Sequence, residues 1–343
     1  MDTDKIMSRS DQSHGKSDQM PPQPTPAEGT LGGGTQVPEI SIIIVSFNTR
    51  EMTLDCLRSI ADETKSAHEV IVIDNASKDG SAAAVAASFP TVRLLAESQN
   101  HGFARANNIA AKYARGAYIL LLNPDTVVLD GAIDRLLAFA KARPEARIWG
   151  GRTLYGDGRL NPTCCWGKMT LWSVFCTTTG LSSSFRGSRL FNPEGYGDWQ
   201  RDDERAVDIV CGAFLLIPRP FWEELGGFDL RYVMYGEEAD LCLRARALGA
   251  SPRITPEATI IHYVGASEQV RGSKIVMLLK AKILLIRDHF PAWQKGPATW
   301  LFRLWPLTRF WASTVLRRLE KAAGWKEVWT RRAEWWHGYA GKR

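Results

Sequence analysis

No run of 18 or more uncharged apolar residues occurs in this 343-residue chain. A membrane-spanning helix is therefore not expected. The longest candidate, 300–316, is interrupted by Arg303, Pro306 and Arg309. The N-terminus has no apolar core of the secretory type, so no signal peptide is expected. Cysteine is scarce: Cys56, Cys164, Cys165, Cys176, Cys211 and Cys242 form no C-x-x-C pair and no zinc spacing, which leaves reduced, buried thiols as the expectation. No G-x-G-x-x-G follows the first apolar strand and no G-x-x-x-x-G-K-[ST] occurs. A Rossmann dinucleotide site and a P-loop are thereby disfavoured. There is no internal repeat, no Ser/His/Asp or Cys/His arrangement, and no recognised nucleic-acid-binding motif.

What is present is a well-mixed globular composition, 45% apolar and 23% charged, with a net charge of +6. The charge is uneven. From Pro297 to Arg343 there are ten Lys/Arg against three Asp/Glu, so nearly all of the excess sits at that end. Eight of the 13 tryptophans lie between Trp293 and Trp336. Basic charge interleaved with Trp suggests an anionic, amphipathic partner such as a membrane surface rather than nucleic acid. In that reading Trp325, Trp329 and Trp336 form the apolar face of the tail. Arg317, Arg318, Arg331 and Arg332 meet headgroups on the cytoplasmic side.

Residues 1–38 are rich in Ser, Asp, Pro and Gly and read as a disordered tail. Order begins at Ile40-Ser41-Ile42-Ile43-Ile44-Val45, a continuous β-branched run of the kind found in buried parallel strands. Strand and helix then alternate to about residue 143: helix 51–60, strand 69–74, helix 81–88, strand 92–95, helix 104–115, strand 117–122. This alternation predicts a doubly wound α/β sheet with helices on both faces. Residues 155–205 read as loops covering a site. Strands follow at 206–210 and 213–217, then a short helix ending near Gly226-Gly227, a helix from Glu237 to Leu248, a strand at 258–262, and a basic helical tail. The domain reading is a tail (1–38), a catalytic α/β domain (39–270) and a helical, membrane-associating region (271–343).

Ligands of open parallel sheets bind beyond the carboxyl ends of the strands. Polar residues cluster at three such ends: Ser46 and Asn48, then Asp74, Asn75 and Ser77, then Asn123 and Asp125. Turn chemistry alone explains one such end; three, two of them acidic, suggest a common ligand. Far downstream, Glu237, Glu238 and Asp240 open a helix. A strand-end Asp for a metal and a carboxylate base together suit sugar transfer, which must neutralise a leaving diphosphate and deprotonate an acceptor hydroxyl.

From about Ser41 to Ser267 the order of motifs resembles the family 2 glycosyltransferases, particularly their bacterial rhamnosyltransferase branch. The markers are Val45-Ser46-Phe47-Asn48, the run Asp74 to Gly80, Asn100-His101-Gly102-Phe103-Ala104-Arg105-Ala106-Asn107, Asn123-Pro124-Asp125, Gly226-Gly227-Phe228-Asp229, Glu237-Glu238-Ala239-Asp240 and His262 to Ser267. The resemblance implies a GT-A fold, Rossmann-like with a mostly parallel sheet, and inverting transfer from a nucleotide-sugar donor such as dTDP-rhamnose. The implied acceptor is a glycan or polyprenyl-diphosphate-linked molecule of bacterial cell-surface polysaccharide synthesis.

It implies that Asp74 binds the nucleobase, supported by Ser46 and Asn48. Asn75, Gly102, Arg105, Asn107, Asn123 and Asp125 complete the donor-binding set. Asn123-Pro124-Asp125 stands where the family has D-x-D, so Asp125 alone supplies a charged ligand there. His262 matches the histidine that completes the metal site, and this set suits Mg²⁺ or Mn²⁺. Glu238 falls at the catalytic-base position, with Glu237 as the alternative. Asp240 is assigned to the acceptor side or to a structural pairing with Arg244, four residues on. A sugar-nucleotide nucleotidyltransferase is the competing class, but it needs a Gly-rich basic loop after strand one, and Ser46-Phe47-Asn48-Thr49-Arg50 is not one. A catalytically inactive sugar-nucleotide-binding module is the other, and retention of Asp74, Asp125, Glu238 and His262 argues against it.

Overall fold

A computed structural model describes residues 37–263 and 271–339. The expected disordered tail, up to residue 36, and the segment 264–267 of the last motif lie outside the described residues. The chain opens with β1 (Ile40–Ser46), α1 (Arg50–Glu63), β2 (His68–Asp74), α2 (Ser81–Ser88), β3 (Arg93–Ala96), α3 (Phe103–Ala111) and β4 (Tyr118–Leu122). All seven residues of β1 are buried, which is why its run is continuous rather than alternating. β3, β2, β1 and β4 lie side by side, all parallel.

The second half follows as β5 (Thr126–Val128), α4 (Ala132–Ala142), β6 (Trp149–Leu154), β7 (Leu160–Asn161), β8 (Cys165–Trp166), α5 (Leu171–Thr179) and α6 (Leu181–Ser184). Next come β9 (Arg205–Ala206), β10 (Ile209–Val210), β11 (Phe214–Pro218), α7 (Arg219–Leu225), α8 (Glu237–Ala247) and β12 (Arg253–His262). The main sheet runs β3-β2-β1-β4-β11-β6-β12-β5. β11 is antiparallel to both β4 and β6, and β5 is antiparallel to β12. β6 carries Gly150 and Gly151 because Val210, the Phe214 ring and the Ala258 carbonyl occupy the space of any added Cβ. Two apolar clusters cover the two faces of the sheet, one with α3 and α8, the other with α1 and α4.

Residues 155–205 differ from the loops expected of them. α5 forms there, capped by a reciprocal Thr170–Ser173 box. Its buried side packs on the C-terminal helices: Thr308 Oγ1 donates to the Thr178 carbonyl at 2.7 Å, and Arg309 to the Thr177 carbonyl at 2.7 Å.

Those helices are α9 (Arg271–His289), α10 (Ala292–Val315), α11 (Leu319–Thr330) and α12 (Arg332–Trp335). Their shared core holds Val276, Ile283, Phe302, Val328 and the fully buried Trp335. Trp325, Trp329 and Trp336 pack against that core instead of facing outward, contrary to the sequence reading. The Trp325 ring lies 5.3 Å from that of Trp305, and Trp329 contacts both Trp335 and Trp336. Aromatic area of this size is buried wherever a neighbouring helix offers a groove, and α10 offers one. Arg331 is likewise engaged by Glu334 at 2.7 Å.

Candidate active site

A cleft of about 410 Å³ opens at the carboxyl ends of β1, β2 and β4. Its walls include Asn75, Gly102, Asn123, Asp125, Glu237, Glu238 and His262, so residues separated by up to 187 positions meet there. The β12–β5 register does the joining. His262 pairs with Thr126, and the Tyr263 N–H donates to the Asp125 carbonyl at 3.0 Å. His262 Nε2 thereby comes within 3.3 Å of Asp125 Oδ1 and 3.3 Å of Asn123 Nδ2. Among the described residues no cluster of three or more His, Cys, Asp or Glu gathers as a complete metal cage. One carboxylate oxygen and one imidazole nitrogen at this separation fit a single divalent ion whose other positions are taken by diphosphate oxygens and water.

Glu237 and Glu238 occupy the first turn of α8, after Tyr235 and Gly236 at φ +64° and +86°. Both carry a buried carboxyl oxygen, Oε2, without a hydrogen-bond partner in the protein. Burial and the neighbouring Glu238 charge push Glu237 well above the ordinary carboxyl range. Burial also raises Glu238, but backbone N–H donors of the helix start oppose it and leave it at about 6. Burial thus favours the neutral form of Glu237 more strongly than that of Glu238.

Other expected residues land outside the cleft wall. Side chains alternate along β1, so Val45 and Phe47 face the cleft and Ser46 points away. The Ser46 hydroxyl is buried, 3.0 Å from that of Thr53. Asn48 sits at φ +53° and accepts from the Lys78 N–H at 2.8 Å, tying the β1 loop to the loop after β2. Asp74 anchors that loop by accepting from the Ser77 N–H, while its Oδ1 is buried and unpartnered. Asn107 is buried and donates to its own helix at the Phe103 carbonyl, and Arg105 is exposed away from the cleft. Asn75 does reach the wall, where its Oδ1 accepts from the His101 N–H at 2.8 Å.

Neither Asp240 nor Arg244 is among the residues lining the cleft. They pair at 2.7 Å, and Arg244 also donates to the Leu225 and Gly227 carbonyls. His289 of α9 meets the other oxygen of Asp240 at 2.8 Å. Arg231 bridges Asp229 and Asp288, and the Tyr339 hydroxyl donates to the Met234 carbonyl at 2.7 Å. The C-terminal helices therefore brace both the loop before α8 and α8 itself.

Residues 41–186 match the model of glycosyl transferase family 2. The matched segment runs from β1 through α6. The chain is 26% identical over 283 residues to the N-acetylglucosaminyl-diphospho-decaprenol L-rhamnosyltransferase of Mycobacterium tuberculosis, spanning 77% of this chain and 89% of that one. It is 28% identical over 173 residues to the rhamnosyltransferase WbbL of Escherichia coli, spanning 48% of this chain and 61% of that one. The Pyrobaculum calidifontis mannosyltransferase PcManGT, solved with GDP-Man and Mn²⁺, shares the fold with a TM-score of 0.53 at 16% identity, over 89% of this chain and 86% of that one.

Sequence reasoning missed several parts of the cleft. Phe47, Phe103, Cys211, Tyr235 and Lys274 line it, the last contributed by α9. Cys211 is the one cysteine of six that is only partly buried, and burial with the nearby Glu238 charge pushes its thiol up. Nothing local in the sequence marks Lys274 or His289.

Glu237 yields a stability expectation. Its folded pKa lies above the unfolded value, so stability is complete below about pH 4.3 and declines as pH rises toward the folded value. Glu237→Gln removes that penalty and is expected to raise stability at pH 7. Thermal melts from pH 4 to 8 check this: the wild type should lose Tm with rising pH more steeply than the variant. Parallel curves would contradict the assignment.

Proposed function

We propose that this glycosyltransferase transfers a sugar with inversion from a nucleotide-sugar donor to a hydroxyl acceptor, using Glu238 as base. The observation carrying this reading is one cleft lined by Asp125 and His262 on one side and by the buried Glu237–Glu238 pair on another. Asn75, Gly102, Asn123 and the unpartnered Asp74 oxygen are assigned to the donor. Asp125 and His262 would hold Mg²⁺ or Mn²⁺, which when bound supplies positive charge for the departing diphosphate. Glu238 accepts the acceptor's proton as its oxygen attacks the anomeric carbon from the face opposite the leaving group. The burial that favours neutral Glu237 works against a second negative charge near the attacking oxygen. No enzyme nucleophile takes part.

The rhamnosyltransferase relatives support dTDP-rhamnose as donor, a polyprenyl-diphosphate-linked or glycan acceptor, and a role in cell-surface polysaccharide synthesis. Mn²⁺ in PcManGT supports the metal. We assign catalysis to 39–270 and membrane association to 271–343, with the enzyme peripheral on the inner face of the plasma membrane. No helix among the described residues is long and apolar enough to cross it.

Incubation with labelled sugar nucleotides, with and without EDTA, tests the reaction. Transfer, or slow hydrolysis to the nucleoside diphosphate, that EDTA removes supports it; pyrophosphorolysis instead would mark a nucleotidyltransferase. The pH profile is the sharper measurement. Because the base must be deprotonated, kcat is expected to rise with pH through a midpoint near 6, the value that burial gives Glu238. A profile flat from pH 5 to 8 contradicts it.

A further inference from the structure

With Trp325, Trp329 and Trp336 turned inward, a different surface is left uncovered. Along α10, Trp293, Trp300, Trp311 and Val315 are 72%, 63%, 58% and 78% exposed. Their spacings of seven, eleven and four residues return to one side of a helix. The same side carries the half-exposed Leu304 and Leu307, and no charged residue falls on it. Just past the helix, Leu316 and Leu319 are 61% and 72% exposed. The opposite side of α10 is spoken for: Ala298, Phe302 and Pro306 are buried in the helical core. The outward stripe sets several large, exposed apolar side chains on one uncovered helix side, the kind of surface that marks a docking site.

We propose that this stripe of α10 lies in the interface of an anionic lipid bilayer, with α10 parallel to the membrane plane. At 24 residues the helix is about 36 Å long, and exposed tryptophans recur along it as they do in helices that lie at the headgroup level. Charge selects the occupant. From Pro291 to Leu319 there are five Lys/Arg and no Asp or Glu. Arg317 and Arg318 are exposed at the end of the stripe. A second copy of this chain would bring the same cations face to face, whereas anionic headgroups complement them. The proposal rests on the membrane-side reading of the function and replaces its surface: the inserting tryptophans are Trp293, Trp300 and Trp311.

The test is flotation of the full-length protein with vesicles of phosphatidylglycerol and phosphatidylcholine, against phosphatidylcholine alone. Wild type should float with the anionic vesicles, and less so as salt is raised. Trp293→Ser/Trp300→Ser/Trp311→Ser should lose binding by at least about tenfold. Arg317→Glu/Arg318→Glu should lose the preference for anionic lipid. Tm and metal-dependent donor hydrolysis, measured in solution, should match wild type in both, since none of these side chains lines the cleft. A triple variant that floats like wild type, or a wild type that never floats, overturns the proposal. So does a wild-type dimer that the triple variant dissolves without any vesicle binding, because a second copy then covers the stripe. Absence of sugar transfer from any donor, with flotation intact, counts against the proposed reaction and leaves the surface standing.

Discussion

Glu238→Gln is expected to lower sugar transfer by about 10²–10⁴-fold with donor affinity unchanged, the usual loss when a general base is removed. Gln preserves the shape at the start of α8 but accepts no proton from the acceptor hydroxyl. The contrast with Glu237→Gln makes the result diagnostic. Glu237 is the more deeply buried of the pair, and burial favours its neutral form, which the amide replacement mimics. It should keep most of the rate, and its pH profile should keep a midpoint near 6. Steady-state kinetics of both variants, with donor binding followed by thermal shift, provide the measurement. If Glu237→Gln were the inactive protein, the base would move one residue upstream.

Asp125→Ala is expected to reduce transfer by at least about 10³-fold while leaving the fold intact. The metal's contribution to a leaving diphosphate is worth several kcal/mol, and about 4 kcal/mol corresponds to that factor. Among the described residues Asp125 is the carboxylate paired with His262, at 3.3 Å, so its removal leaves the imidazole to hold the ion. Two readouts separate this from a packing defect. Mn²⁺ should raise the Tm of the wild type in the presence of a nucleoside diphosphate and should not do so in the variant. His262→Ala should weaken the metal response less, because Asp125 supplies the charge. Near-wild-type turnover of Asp125→Ala at limiting metal removes the assignment.

The first half of the sheet was legible because its signals are local. β1, β2 and β4 are apolar runs whose residues are buried over most of their length, and α2 begins and ends where the sequence places it, at Ser81 and Ser88. α5 was not legible. Its Thr- and Ser-rich segment has little helical preference, and packing on α10 decides it. The site divides the same way. Asp125, His262 and the Glu pair were marked by residue type at element ends, but their meeting depends on the β12–β5 register, which no local pattern encodes. Ser46 shows how alternation complicates a strand end: neighbouring side chains go to opposite faces, and its hydroxyl lies 3.0 Å from that of Thr53. Lys274, His289 and Tyr339 act across long separations, Tyr339 from 105 residues away from Met234.

That bracing has a consequence for anyone recombining this enzyme with its relatives. Tyr232, Ala239, Leu241 and Ala245 share one apolar cluster with Ala281, Leu284, Leu285 and Tyr339. The segment 231–236 is held from behind by Asp288 and Tyr339, and α8 by His289. A crossover at residue 270 would pair one parent's Glu237 and Glu238 with the other parent's supports. Seams that keep 228–248 and 271–339 from the same parent preserve the native contacts, so specificity grafts belong upstream of Phe228, in the loops after β1, β2 and β4 that the proposed donor would face.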